Sequence, residues 1–217
     1  MKKHLSILTV LVLCVMLITS IPVSAVSKPA KPKKFKITDY NPVYNTVTVS
    51  LKEKKNLNYE LKVFNSKGKL QQKIKADKYN QLPFSKYFPH TIKNITSNQF
   101  YKIVARAYKT KNGKKIYSKK SKPVYACQKV DCNLDWGTHA LKWDKVKGAT
   151  RYVVSVSKSN EAKSFTKLAT TKDTKFILND SIYNELGKSF YAQIIAQKKV
   201  KNKYYSSSWT ASYEWHM

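Results

Sequence analysis

From residue 35 onward, apolar and polar side chains alternate in short runs. Val47, Val49 and Leu51 interleave with Thr48 and Ser50, and Tyr59, Leu61 and Val63 interleave with Glu60 and Lys62. Tyr101, Ile103, Ala105 and Ala107 do the same with Lys102, Val104 and Arg106, although Val104 leaves the outward face of that run partly apolar. A period of two puts successive side chains on opposite faces of a strand, so each run predicts a half-buried antiparallel strand. Polar turns such as Asn65-Ser66-Lys67-Gly68 separate the runs, and no long stretch has helical periodicity.

The pattern recurs. Leu141 and Trp143 predict one strand of the second half, followed by strands at Tyr152, Val154 and Val156, at Phe176 and Leu178, and at Phe190, Ala192, Ile194 and Ala196. Residues 101–107 laid over residues 190–196 keep the inward class at every second position. The hairpins that follow also match, Lys111 to Ser118 against Lys201 to Ser206, with a shorter tip expected in the second. Two repeats of roughly 90 residues are expected, meeting near Cys127 to Val130. Short, evenly spaced strands point to a β-sandwich in each.

The N-terminus reads as a targeting segment. Lys2, Lys3 and His4 precede an apolar run from Leu5 to Ile18, and Val23-Ser24-Ala25 is a small-x-small cleavage site, so residues 1–25 are expected to be a cleaved secretory signal peptide. The apolar run is shorter than the ~20 residues of a bilayer span, so a released chain without a membrane span is expected. Residues 26–34 hold four Lys and two Pro and predict an extended, solvated leader. Cys127 and Cys132 remain after cleavage. In an oxidising exterior such a pair is expected to form a disulfide, although a loop this short strains its geometry.

A family resemblance enters at Leu141-Lys142-Trp143-Asp144-Lys145-Val146-Lys147-Gly148-Ala149-Thr150-Arg151-Tyr152. This stretch resembles the strand B to strand C segment of bacterial fibronectin type III domains, where a buried Trp precedes a V-x-G-A-x-x-Y turn. Gly187-Lys188-Ser189-Phe190-Tyr191 and Ala105-Arg106-Ala107-Tyr108 resemble the E to F corner and strand F. The first repeat departs from the pattern, with Leu51 near the Trp position and no G-A-T turn. The second has Phe190 where the corner Tyr would supply a hydroxyl. The resemblance implies an all-β chain of two tandem fibronectin type III-like, immunoglobulin-like sandwiches, residues 35–126 and 131–217. It also implies a spacer or interaction module, not an enzyme.

The catalytic inventory is thin. The histidines left after cleavage, His90, His139 and His216, sit in no H-E-x-x-H motif, and the chain has no G-x-S-x-G elbow or phosphate loop. The acids Asp39, Glu53, Glu60 and Asp77 are scattered, and Asp131 and Asp135 lack a third calcium ligand. No cofactor, metal site or catalytic residue is expected. Trp143 is expected in the core, and Trp136, Trp209 and Trp215 in core or inter-domain packing, with a carbohydrate-stacking surface as the alternative. Asn94-Ile95-Thr96 and Asn179-Asp180-Ser181 fit the glycosylation pattern, but the cationic leader and the Lys- and Asn-rich chain read as bacterial, where that pattern means little.

Charge is the informative feature. The formal net charge is +30. Residues 26–126 hold 25 basic and 4 acidic residues, a formal +21, whereas residues 127–217 hold 15 and 8, a formal +7. Within residues 109–122, Lys109, Lys111, Lys114, Lys115, Lys119, Lys120 and Lys122 occur without an acid, flanked by Tyr108 and Tyr117. The second hairpin supplies Lys198, Lys199, Lys201 and Lys203 beside Tyr204 and Tyr205. Such hairpins are expected to hold a polyanion by counterion release while the rings stack sugars or bases. Candidate partners are teichoic acid, glycosaminoglycan, another anionic polysaccharide or extracellular nucleic acid. Lys is a point charge without Arg's planar fork, which favours diffuse attraction over base-specific recognition. The alternatives are a Lys-rich surface that only keeps the protein soluble, a module that docks a protein partner by a sheet edge or by Tyr204, Tyr205 or Trp209, and an accessory pair of a carbohydrate-active system.

Overall fold

The computed structural model describes residues 27–76, 87–161, 164–186, 189–208 and 213–216. The expected signal peptide and Trp209 lie outside the described residues. The described residues contain sixteen strands and one short helix.

The first unit comprises β1 (Lys33–Asn41), β2 (Thr46–Lys52), β3 (Asn58–Phe64), β4 (Leu70–Ala76), β5 (Tyr87–Ile92), β6 (Tyr101–Lys111), β7 (Lys114–Tyr117) and β8 (Val124–Ala126). One sheet runs β1-β2-β5 and the other β4-β3-β6-β7, with β8 also paired to β6. The second unit repeats this strand for strand with β9 (Cys132–Asp135), β10 (Ala140–Trp143), β11 (Arg151–Ser157), β12 (Thr166–Thr171), β13 (Lys175–Ile177), β14 (Ser189–Val200), β15 (Lys203–Ser206) and β16 (Tyr213–His216). Its sheets are β9-β10-β13 and β12-β11-β14-β15, with β16 paired to β14. Adding eight to a strand number of the first unit gives its counterpart in the second. A three-stranded A-B-E sheet facing a C′-C-F-G sheet is the tandem fibronectin type III-like sandwich expected from the resemblance.

The alternating residues are the core. Val47, Val49, Leu51, Tyr59, Leu61, Val63, Ile103, Ala105 and Ala107 are buried between the sheets of the first unit. Leu141, Trp143, Tyr152, Val154, Val156, Phe190, Ala192, Ile194 and Ala196 fill the second. In both units the strand C tyrosine is buried and its hydroxyl accepts a backbone N–H from the preceding turn, Lys54 to Tyr59 and Val146 to Tyr152, each at 2.9 Å. This bond ties the B–C turn down without the G-A-T sequence. Tyr101 supplies a corner hydroxyl in the first unit, 3.0 Å from Thr96 Oγ1, and Phe190 is buried without one in the second.

Four expectations need correction. β1 begins at Lys33, inside the segment expected to be solvated, and Pro32 is buried. Lys33 and Lys34 carry no apolar side chain, so composition concealed the start of β1; its apolar residues, Phe35, Ile37 and Tyr40, come after them and pack against the core. A seven-residue helix, α1 (Asp180–Leu186), precedes β14, with Asn179 Oδ1 accepting the Ile182 N–H at 2.9 Å as its N-cap. The two F–G hairpins have tips of equal length, Asn112-Gly113 and Lys201-Asn202, so Ser118 corresponds to Ser207. Trp136 is not core: it lies in the β9–β10 turn, 44% exposed. Trp215 stands opposite Phe190 in the β14–β16 register.

The units meet in a packed joint. Phe100 N–H donates to Lys147 C=O and Lys147 N–H donates to Asn98 C=O, both at 2.9 Å, forming a short parallel bridge. Ser208 N–H donates to Cys127 C=O at 2.9 Å. The Tyr125 and Tyr205 rings pack 4.7 Å apart, and Phe100, Tyr125 and Cys127 belong to the core cluster of the second unit. Among the described residues no helix is long and apolar enough to cross a membrane.

Candidate polyanion interface

The first F–G hairpin is built by β6 and β7. Asn112 and Gly113 have φ of 50° and 71°, the two left-handed residues that a type I′ turn requires, so the strands run to the tip in register. Lys111 stands directly opposite Lys114, and Thr110 opposite Lys115. Beyond β7 the edge is held by two serines. Ser118 N–H donates to Ala107 C=O and its Oγ accepts the Ala107 N–H, and Ser121 makes the same pair of bonds with Ala105. Both serines are buried, so the segment between β7 and β8 turns Lys119, Lys120 and Lys122 outward. Ser207 repeats the motif on Ala196. Among the described residues none of Lys109, Lys111, Lys114, Lys115, Lys119, Lys120 and Lys122 forms an ion pair.

On the outward face of the same sheet one internal carboxylate serves three cations. Lys62 faces Lys73 across β3 and β4, and Glu60 sits between them, 1% exposed. Arg106 Nε and Nη2 lie 2.9 Å from Glu60 Oε1, Lys73 Nζ 3.4 Å from Oε2, and Lys62 Nζ 3.9 Å from Oε1. The Tyr117 hydroxyl donates to Oε2 at 3.3 Å. Burial pushes the Glu60 carboxyl upward, but the hydrogen bonds and charges of Arg106 and Lys73 outweigh it and hold its pKa below the ordinary value.

The tyrosines are less available than the sequence suggested. Arg106 covers Tyr117 at 3.6 Å from the ring centroid, Tyr117 packs against Tyr108 at 5.5 Å, and Lys115 lies 4.6 Å from the Tyr108 centroid. Arg151 covers Tyr204 at 3.5 Å, with Lys199 at 5.7 Å, and Lys203 lies 5.2 Å from the Tyr205 centroid. The protein's own cations occupy these ring faces.

The second hairpin does not extend the first. Lys198 Nζ donates to Gly148 C=O at 3.3 Å and lies 5.9 Å from the Tyr125 ring, which places it in the joint. Lys199, Lys201 and Lys203 are exposed on the same hairpin. Tyr125, against which Tyr205 packs, stands opposite Lys102 on β6, nine residues or about 30 Å along the strand from the tip at Lys111. Instead the fold brings other lysines to the distal end of the first unit. Lys33 pairs with Lys52 at the β1–β2 end, and Asn58, at the start of β3, pairs with Tyr108 near the hairpin. Sequence reasoning missed Lys31, Lys33, Lys34, Lys52 and Lys54 as site residues because they are dispersed over the leader and the B–C turn. The one available signal was the absence of compensating acids, with Glu53 alone among them.

Cys127 and Cys132 are free thiols, not the expected disulfide. Cys127 follows β8, where its C=O holds Ser208 and its Sγ donates to Ser97 C=O at 3.4 Å, while Cys132 opens β9 opposite Trp143. Both pack as small apolar side chains in the core, and burial pushes each thiol up to about 12. Such thiols are protonated and unsuited to nucleophilic work at neutral pH. Asp135 is occupied by Lys142 and by the Gly137 and Thr138 N–H groups, and the Lys142 hydrogen bond holds its carboxyl below the ordinary value. Asp131 pairs with Lys129 at 3.3 Å. His139 stacks on Tyr183 with centroids 3.8 Å apart, and His90 lies on β5 opposite Val49. No group of three or more His, Cys, Asp or Glu that could hold a metal occurs among the described residues.

No protein-family model matches the chain, and no curated protein matches it. Among solved structures it is similar to a two-domain fibronectin type III segment of chicken tenascin, with 14% identity, 86% of this chain and 99% of that chain covered, and a TM-score of 0.36. It is also similar to the FN1–FN3 domains of chicken CNTN1, with 9% identity, 87% and 67% covered, and a TM-score of 0.31.

Proposed function

We propose that this is a secreted bacterial binding module without catalytic activity, which holds anionic polymers of a cell envelope or extracellular matrix at the Lys-rich distal end of its first sandwich. The carrying observation is a contrast between two cross-strand lysine pairs. Like charges directly opposite one another destabilise a sheet. Lys62 and Lys73 have Glu60 between them, whereas Lys111 and Lys114 at the hairpin tip have no acid of the described chain. The tip retains a repulsion that an external anion relieves.

Recognition by this surface is electrostatic. Covered tyrosine rings leave little for base or sugar stacking, and lysine ammonium groups read charge density, not sequence. Teichoic acid and acidic polysaccharides fit this chemistry better than single-stranded nucleic acid, whose binding draws on ring stacking. A pull-down from cell-wall and matrix extracts at two salt concentrations tests the reading. Retention should fall steeply at the higher salt and be largely lost after Lys111, Lys114, Lys115 and Lys119 are changed to Glu. Retention insensitive to both changes rejects it. N-terminal sequencing of protein from the culture medium tests secretion, with Val26 expected first.

A further inference from the structure

A second concentration of charge lies beside the leader. Two adjoining clefts of about 290 and 120 Å³ share Lys31, Pro32 and Lys33 as walls. The larger adds Lys34, Phe35 and Lys122, and the smaller adds Lys52, Lys54 and Tyr59. Their lysines come from three separate places in the chain: the leader and β1, the B–C end of β2, and the crossing between β7 and β8.

Three features make this more than a solvated face. Pro32 is buried, so the leader is seated on the sandwich and does not trail from it. Lys34 takes the left-handed backbone, φ 53°, at a register shift between Lys33 and Lys36. A bulge of this kind re-aims side chains that regular pleating would send to opposite faces, and the left-handed conformation is unfavourable for a non-glycine residue. Lys33 and Lys52 stand directly opposite each other, and among the described residues neither forms an ion pair. Glu53 is the one acid nearby in sequence. Where this fold stabilises an opposed lysine pair by itself it buries a glutamate between the two, as Glu60 does for Lys62 and Lys73; at Lys33 and Lys52 it does not.

We propose that these clefts form a binding site for closely spaced oxyanion groups, such as adjoining phosphates or sulfates on one chain. Lys31, Lys33, Lys52, Lys54 and Lys122 line the clefts and together carry more charge than a single phosphate neutralises, which favours a ligand with several charges over an isolated ion. The site lies at the same end of the sandwich as the hairpin and extends the charge-binding reading, but it uses none of Lys109, Lys111, Lys114 and Lys115 and stands without them.

The test uses the full mature chain and sodium tripolyphosphate, followed by amide chemical shifts. Shifts should concentrate on residues 33–35, 52–54 and 122. Changing Lys52, Lys54 and Lys122 together to Gln should weaken binding at least tenfold. These three side chains are exposed, so thermal melting should confirm that the variant is folded. Changing Lys111, Lys114 and Lys115 to Gln should alter tripolyphosphate affinity by no more than about twofold, because these side chains do not line the clefts and act on the ligand only through the general field of the surface. Competition by sucrose octasulfate at the same amides supports the site with sulfate as the source, and tripolyphosphate binding without that competition supports it with phosphate. Unchanged affinity in the cleft variant, or shifts spread evenly over all lysine-bearing strands, overturns the proposal. Cleft binding that survives while polymer retention proves salt-insensitive would reject the hairpin reading alone.

Discussion

Glu60 should be the costliest surface-facing side chain to neutralise. In Glu60→Gln the carboxylate is lost but the shape is kept, so Arg106, Lys62 and Lys73 are left facing one another across three strands. Removing one partner of a buried ion pair costs about 3–5 kcal/mol. Two features reduce this: Lys73 is 55% exposed, and the amide oxygen can still accept from Arg106. An expected loss of about 2–3 kcal/mol remains, close to two charge-assisted hydrogen bonds at the low end of their range. Amide hydrogen exchange measures it locally. Protection on β3 and β6 should fall by roughly 30- to 150-fold, the equivalent of that loss, while β11 and β14 keep theirs.

The pH dependence gives the sign. The Glu60 pKa is lowered in the folded protein, so its contribution is present above the ordinary carboxylate range and disappears as pH falls through the folded value. The wild type should therefore lose more stability on acidification than Glu60→Gln, and the two should converge in acid. Exchange rates within twofold of wild type at neutral pH, or parallel acid profiles, would refute the argument that an internal carboxylate neutralises this face.

The joint and the thiols give further expectations. Gly148 has φ 85°, and a Cβ there would lie 3.2 Å from Lys198 Nζ and 3.3 Å from Ser66 Cβ, so Gly148→Val should cost about 1–3 kcal/mol and open the joint. Small-angle scattering should show a broader distribution of inter-domain distances, and an unchanged profile would contradict the packed bridge. Alkylation of the chain from Val26 onward should label neither cysteine when native and both in denaturant; a mass lower by two hydrogens would show a disulfide instead. Because burial raises each thiol from 9.0 to about 12, the protonated form is favoured in the folded state, and stability should fall as pH rises from about 9 towards 12. Replacing both cysteines with Ala should flatten that alkaline slope, measured by urea unfolding across the range.

The strands were legible because burial on one face leaves a period of two, and Val47 to Leu51 and Tyr152 to Val156 carry it without interruption. Trp143 and its turn were legible because a buried indole and a tight turn demand particular residues. What escaped depended on distant parts of the chain. The start of β1, Lys33 and Lys34, has no apolar signature, and only the pairing of Lys33 with Lys52 makes it strand. Lys198 and Tyr205 became joint residues because of how the second unit meets Phe100 and Tyr125, which no local pattern encodes. Tyr117 read as an open face in sequence, but Arg106 covers it only through the pairing of β6 with β7. The cysteines are close in sequence yet belong to different backbone ladders, and proximity in sequence suggested a bridge that the fold does not make.

The most direct test of charge as the binding principle is isothermal titration of the mature protein with heparin, used as a uniform linear polyanion, from 50 to 400 mM salt. The logarithm of the binding constant should fall linearly with the logarithm of salt concentration. Changing Lys111, Lys114, Lys115 and Lys119 to Glu should make that slope shallower by roughly three, at about 0.7–0.9 for each ammonium group withdrawn from the polymer. A binding constant independent of salt, or a slope the variant leaves unchanged, would contradict the account.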